Sequence, residues 1–249
     1  MEKMVFRAVI DADKLKDSIE AISTLVDEAK FKLGPEGISL MAVDPANVAM
    51  VSFELSSNAF DSYESTEGEI GLDLIKLVNV LGMAKSSDKV GLELNEKTHK
   101  LSISMGGLSY TLSLLDPSSI RKEPKVPSLD LPVKATLNGN DLRKAIKAAE
   151  TVSDHIILGV DGDVLFMEAK GDTDQVRLVL TRDELIDLTA SGPARSLFSL
   201  DYLSDMSKSL KKVNEITIHL GKDYPIKINF TIANGNGKVG YLLAPRIES

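Results

Sequence analysis

The side chains of this 249-residue chain that could do covalent chemistry are scattered. Its three histidines, His99, His155 and His219, stand far apart, and His219 follows Ile216 and Ile218 out of phase, which turns it toward solvent. A nucleotide-binding loop needs glycines followed by a lysine, a zinc protease needs His-Glu-x-x-His, and a serine esterase needs Gly-x-Ser-x-Gly. None of these strings occurs. Asp161-Gly162-Asp163 and Gly171-Asp172-Thr173-Asp174 look faintly like calcium loops. They lack the glutamate at the required spacing and lie between apolar runs, so they read as turns. With no cysteine there is no disulfide and no thiolate zinc site. The sequence therefore points to no catalytic residue, no metal and no cofactor. A hydrolase built on an unrecognised carboxylate pair is the enzyme alternative, and chelator-sensitive turnover would reveal it.

What remains is charge and apolar surface. The net charge is −8, which argues at first against a nucleic-acid partner. The positive residues are not spread evenly, however. Arg143, Lys144 and Lys147 cluster, as do Lys208, Lys211 and Lys212. Arg143 and Lys147 are one helical turn apart, away from the apolar side of Leu142 and Ile146. A charged outer face is the ordinary state of a soluble helix. The functional reading is a mildly basic surface on an acidic body, able to admit a polyanion without gripping it.

The elements that carry these residues are arranged around a central connector. Residues 116–132 hold four prolines, Pro117, Pro124, Pro127 and Pro132, which break helices and cannot donate to a sheet ladder. Within this stretch Val126-Pro127-Ser128-Leu129 is an apolar patch among charges. The half of the chain before the connector resembles the half after it. At an offset of 127, Ala8, Leu15, Ile19, Ala21, Thr24 and Asp27 fall on Ala135, Leu142, Ile146, Ala148, Thr151 and Asp154. At an offset of 128, Leu72-Asp73 falls on Leu200-Asp201 and Leu114-Leu115 on Leu242-Leu243. A long unit seen twice predicts two similar domains, residues 1–117 and 133–249, joined by a connector at 118–132.

Periodicity fills in each domain. Apolar spacing predicts a helix over residues 14–29, a second that Asp73 caps, with Leu74, Leu77, Val78 and Leu81 on one side, and two more over 140–153 and 201–212. Either Asp11 or Asp13 is placed to cap the first. The remaining apolar runs read as short strands separated by Gly, Pro, Asn and Asp turns. Each domain is thus mainly antiparallel sheet with two helices, an α+β architecture in which the helices bury one face on a sheet. No apolar run approaches the roughly 18 residues of a membrane span, and the N-terminus lacks a signal peptide's apolar stretch.

Several stretches together resemble one family. They are Ala42-Val43-Asp44-Pro45-Ala46-Asn47-Val48-Ala49-Met50-Val51, Leu114-Leu115-Asp116-Pro117-Ser118, the connector, Asp201-Tyr202-Leu203-Ser204-Asp205-Met206, and the ending Leu242-Leu243-Ala244-Pro245-Arg246-Ile247-Glu248. The chain resembles the sliding clamps of the proliferating-cell-nuclear-antigen type, closest to archaeal members, over essentially its whole length. The resemblance implies the DNA clamp fold, with three subunits closed head to tail into a ring, helices lining the hole and double-stranded DNA passing through it. Such a protein is a processivity factor rather than an enzyme. It implies partners as well: DNA polymerase, a clamp loader, flap endonuclease and ligase, docked through short peptides with an aliphatic residue and two aromatics, and no membrane. It implies a cytoplasmic, nucleoid-associated protein in an archaeon, or a nuclear one in a eukaryote.

Carried over residue by residue, the resemblance offers Lys16, Lys85, Arg143, Lys147, Lys208, Lys211 and Lys212 as DNA-facing. The first helix is net acidic, which makes Lys16 the weakest of these. It offers Val43, Asn47, Val48, Val126, Pro127, Pro225, Leu242, Leu243, Ala244 and Pro245 as the partner-peptide pocket, although Leu243 could equally face a core. Pro124 stands where many members place an aliphatic residue, and Asn47 where eukaryotic members have histidine. It offers Ser109, Tyr110, Leu112 and Leu114 on one edge strand, and Val176, Leu178 and Leu180 on another, as the subunit interface. One chain does not separate a homotrimer from a heterotrimeric clamp, and a monomeric peptide-binding adaptor would use the same pocket.

Overall fold

The computed structural model describes residues 4–247. Glu248, the last residue of the terminal motif, lies outside them. The first half of the chain runs β1 (Phe6–Asp11), α1 (Ala12–Ser23), β2 (Glu28–Gly34), β3 (Gly37–Val43), β4 (Ala49–Ser56), β5 (Ser62–Ser65), β6 (Gly68–Asp73), α2 (Leu74–Leu81), β7 (Lys89–Asn95), β8 (Lys100–Met105) and β9 (Leu108–Ser113). The second runs β10 (Val133–Asn138), α3 (Gly139–Ala149), β11 (His155–Asp161), β12 (Val164–Lys170), β13 (Gln175–Thr181), β14 (Asp187–Ala190), β15 (Ala194–Ser199), α4 (Leu200–Lys208), β16 (Glu215–Leu220), β17 (Ile226–Ile232) and β18 (Gly237–Leu243). The order of strands and helices is the same in both halves, so the repeat seen as scattered identities is a repeat of elements.

The chain forms two compact units. One contains the residues up to Val43, Val51–Pro124 and Thr231–Val239; the other contains Asp44–Met50, Lys125–Phe230 and the residues from Gly240 on. In the first, β5-β1-β7-β8-β9 form an antiparallel sheet, with Ala8 opposite both Tyr63 and Leu92. Strands β6, β2, β3 and β4 lie side by side, with Phe31 opposite Ile70. Leu15, Ile19 and Ile22 of α1 and Leu74, Leu77, Val80 and Leu81 of α2 are buried. In the second unit β13-β12-β11-β15 form one antiparallel set and β14-β10-β16-β17 another. There Leu142 and Ile146 of α3 and Leu203 and Met206 of α4 are at most 2 % exposed. Each fully buried aliphatic of this size contributes roughly 1.5–3 kcal/mol.

Three helices are shorter than their apolar spacing predicts. Helix α1 stops at Ser23 rather than residue 29. Ser23 Oγ donates to Glu20 O and Thr24 Oγ1 to Ala21 O, so the hydroxyls satisfy carbonyls the next turn would have used. Leu25 and Val26 are buried in the turn instead, and Glu28 already pairs with Asp73 in the sheet. Thr151 Oγ1 to Ala148 O closes α3 and Ser209 Oγ to Met206 O closes α4 in the same way. In α2 the buried fourth residue is Val80, while Val78 is only partly covered. Strand β5 has no apolar alternation to announce it. Its Tyr63 hydroxyl is shared by the carbonyls of Gly34 and Gly37, each at 2.8 Å.

The caps are divided similarly. Asp73 Oδ1 accepts from Lys76 N, as expected, and Asn138 Oδ1 accepts from Asn140 N. Asp11 occupies the cap position of α1 without capping it. Its carboxylate pairs with Lys14 and Lys89, whose hydrogen bonds hold its pKa down at about 2.

Candidate peptide-docking surface and nucleic-acid interface

The loop between β3 and β4 is built around one carboxylate. Asp44 is 3 % exposed. Its Oδ1 accepts from Val48 N and Ala49 N, both at 2.7 Å, and its Oδ2 accepts from Ala46 N at 3.0 Å. The fourth donor comes from far along the chain: Tyr202 Oη donates to Oδ2 at 2.7 Å. These four donors match the roughly four acceptor sites of a carboxylate. Burial pushes the carboxyl pKa up, but the hydrogen bonds from Ala49, Tyr202, Val48 and Ala46 outweigh it and hold it below the usual value. Tyr202 moves the other way. Burial first, then the Asp44 charge, pushes its phenol up to about 12, with Asp201 adding to the rise and Arg246 opposing it.

The backbone follows the carboxylate. Asn47 takes a left-handed conformation (φ 58°) that asparagine tolerates better than most residues. Asn47 is exposed, and Val48 beside it is half-buried. The C-terminal tail is stitched to the same place. Ala244 N donates to Val48 O at 2.9 Å, and Arg246 N to Leu197 O at 2.7 Å. Leu242, Ala244 and Pro245 are partly exposed. Leu243 is not: it is 0 % exposed, in phase along β18 with Val239 and Tyr241. Strand alternation puts it in the core, which corrects its assignment to the pocket surface. Pro225 is half-buried, next to Tyr224 at 50 % exposure.

The connector is held at its ends. Within the first unit Ile120 is 7 % exposed, and a Cβ at Gly71 would come within 2.7 Å of both its Cδ1 and Leu115 O, so only glycine fits there. Within the second unit, a Cβ at Gly221 would sit 3.3 Å from Leu131 Cδ2 and 3.1 Å from Tyr224 Cβ, which places Leu131 and Tyr224 together. Between these points Val126 is 58 % exposed and Pro127 is exposed, so the apolar patch is displayed. Val43 ends β3 in the first unit, half-buried. Asp44, Tyr202, Leu131 and Tyr224 were not among the expected site residues. An aspartate two residues before a small residue signals an Asx turn. Nothing local announces that Tyr202 reaches it.

The basic residues divide by exposure. Lys85, Lys147, Lys208, Lys211 and Lys212 are exposed, and Arg143 is partly covered, with Nη1 donating to Asn140 Oδ1 at 3.3 Å. Lys208 also pairs with Asp205 at 2.6 Å. Lys211 and Lys212 lie in the turn after α4 rather than on the helix. Lys16 is half-buried and its ammonium donates to Ala84 O, three residues beyond the end of α2.

Strands β9 and β13 lie at the ends of their sheets. Ser109 is exposed, Tyr110 and Leu114 are intermediate, and Leu112 is buried at 2 %. Val176 and Leu178 are intermediate and Leu180 is buried at 6 %. Leu112 and Leu180 therefore serve their own cores, leaving backbone as the main resource of each edge.

No group of three or more metal-ligating side chains occurs among the described residues. The two aspartate-glycine stretches are turns: Gly162 has φ 59°, and Gly171 N bonds Asp174 O. His219 is half-buried rather than turned fully outward. Burial and the cross-strand Lys227 and Lys134 hold its pKa below the usual value.

Comparison with known proteins gives the family. Residues 4–107 match the family model of the proliferating cell nuclear antigen N-terminal domain, and residues 125–246 that of its C-terminal domain. The DNA polymerase sliding clamp of Methanosarcina barkeri is 62% identical over 245 residues, covering 98% of this chain and 100% of its own. That of Methanococcoides burtonii is 61% identical with the same coverage. Among solved structures, A. fulgidus PCNA bound to the C-terminal region of FEN-1 superposes with a TM-score of 0.92, at 38% identity over 98% of this chain and 99% of that one. With both halves matched and relatives this similar from end to end, the chain belongs to the proliferating cell nuclear antigen family of DNA polymerase sliding clamps.

Proposed function

We propose that this chain acts as a homotrimeric ring that encircles duplex DNA and keeps polymerase and other replication and repair proteins on it. It has no catalysis and no cofactor of its own. The observation that carries this is the pairing of a stiff, displayed docking surface with two unsatisfied sheet edges on one family member. An exposed edge strand is an aggregation hazard unless another chain pairs with it, and β9 of one copy against β13 of the next is the remedy that closes a ring. Residues 1–117 and 133–249 serve as the duplicated domains, with residues 118–132 as the connector.

DNA is held by topology. Exposed Lys85, Lys147, Lys208, Lys211 and Lys212, with the partly covered Arg143, give a mild positive face on a chain of net charge −8, and a weak phosphate grip leaves the ring able to slide. Partner peptides dock on Asn47, Val48, Val126, Pro127, Pro225, Leu242, Ala244 and Pro245, with Val43 at the loop's base. Small aliphatics and prolines make a shallow wall, so the partner's aromatics supply most of the energy. FEN-1's C-terminal region is the kind of occupant found on the A. fulgidus relative. An ATP-driven loader opens the ring, and the protein works where the chromosome is replicated inside the cell.

The test is absolute mass by light scattering on a sizing column, followed by polymerase extension on primed circular DNA with a loader. A mass three times the 27.0 kDa of one chain, with loader-dependent stimulation, is expected. A single-chain mass at every concentration leaves a monomeric adaptor. A trimer reached only after mixing with sister subunits makes this chain one part of a heterotrimer.

A further inference from the structure

A side chain from far along the chain reaches the docking loop, and it belongs to helix α4, which also carries Lys208. We propose that Tyr202 is the positioning residue of the docking surface: its hydroxyl fixes the Asp44 carboxylate, and the carboxylate fixes the backbone of Asn47 and Val48 against which a partner peptide lies. The inference rests on the docking reading of this surface.

The geometry supports it step by step. Tyr202 sits half-buried in the first turn of α4, a helix anchored by the buried Leu203 and Met206. Its hydroxyl meets Asp44 Oδ2 at 2.7 Å, the same oxygen that receives Ala46 N. The other oxygen holds Val48 N and Ala49 N. Val48 O in turn receives Ala244 N, so the tail inherits the loop's position. Without the phenol the carboxylate keeps its three backbone donors but loses the hydrogen bond that ties the loop to α4. A buried acceptor left short of a partner is costly, and the loop then samples other conformations. A peptide binding a partly populated surface binds more weakly in proportion to that population. Among the charged neighbours of Tyr202, Arg246 favours the ionised phenol and Asp201 opposes it.

Tyr202→Phe removes one oxygen and keeps the aromatic ring, so α4 still packs. In the full chain the probe is a fluorescein-labelled synthetic peptide with one aliphatic residue and two aromatics, followed by anisotropy. The variant is expected to bind about three- to tenfold more weakly. Amide exchange should quicken at Ala46, Val48 and Ala49 while the buried residues of α4 stay protected. The acid limb of peptide binding should move to higher pH, because Asp44 has lost a donor that lowers its pKa. Asp44→Asn should show a similar loss, and adding Tyr202→Phe to it should cost little more. Wild-type affinity and exchange in Tyr202→Phe overturn the inference, as does faster exchange spread over the whole of α4. Faster loop exchange with unchanged peptide affinity overturns it while leaving docking intact. A wild-type chain that does not bind the probe overturns the docking reading itself, and the inference with it.

Discussion

Tyr202 and Asp44, 158 positions apart, are joined by a 2.7 Å hydrogen bond from the phenol to a carboxylate that also organises three backbone amides. That contact and the alternation of the strands around it govern much of the surface's behaviour.

The pair should leave marks at both ends of the pH scale. The Asp44 carboxyl is held below its ordinary value of 3.8. Its contribution is therefore present above that value and is lost as pH falls through the folded value. Asp11, held at about 2 by Lys14 and Lys89, adds a second loss in the same acid window. Tyr202 is raised from 10.0 to about 12, so its contribution is intact below pH 10 and disappears as pH rises from there toward 12. Urea unfolding across pH should show a plateau with both shoulders. Tyr202→Phe should shrink the alkaline one, leaving the part due to Tyr63, whose phenol burial also raises.

Val126 and Leu243 should respond oppositely to the same charge. Val126 is 58 % exposed, so Val126→Glu should abolish peptide binding and polymerase stimulation with an unchanged melting temperature. Leu243 is fully buried, and Leu243→Glu places an unpaired carboxyl in the core, which should lower stability by several kcal/mol or prevent folding. Unaltered stimulation by Val126→Glu would remove the connector patch from the docking surface.

The edge strands predict a clean assembly phenotype. Leu178→Pro removes a ladder donor on β13, the outermost strand of its sheet. Light scattering should then report a single-chain mass while unfolding stays cooperative. Rings of normal mass from a folded Leu178→Pro protein would exclude this pairing.

Interactions with DNA should be weak and additive. Replacing Arg143, Lys147 and Lys211 with alanine should leave ring mass unchanged and shorten residence on linear duplex. The salt dependence of binding should become shallower by about 0.9 in the log–log slope for each phosphate no longer neutralised. An unchanged slope would move DNA off these faces.

Core packing gives a stability control. Leu142 on α3 is 0 % exposed, and Leu142→Ala should cost about 2–5 kcal/mol in denaturant unfolding. Comparison with Val126→Glu separates loss of fold from loss of docking.

The amino-acid sequence by itself determined the duplicated order of strands and helices, the proline-rich connector and the family. These depend on local pattern: apolar period, turn residues, and identities kept in register over half the chain. It also placed the apolar faces of α1, α3 and α4, because Leu15, Ile19, Leu142, Ile146, Leu203 and Met206 repeat at helical spacing. The tertiary structure decided what local pattern does not encode. Helix ends were settled by hydroxyls bonding back to carbonyls at Thr24, Thr151 and Ser209, where apolar spacing continued past the true end. Lys16 was given Ala84 O as a hydrogen-bond partner. Leu243 went inward through its phase along β18. The Tyr202–Asp44 contact was out of reach of sequence spacing altogether, since a hydrogen bond depends on distance in space, and only folding brings a helix and a loop 158 residues apart to 2.7 Å.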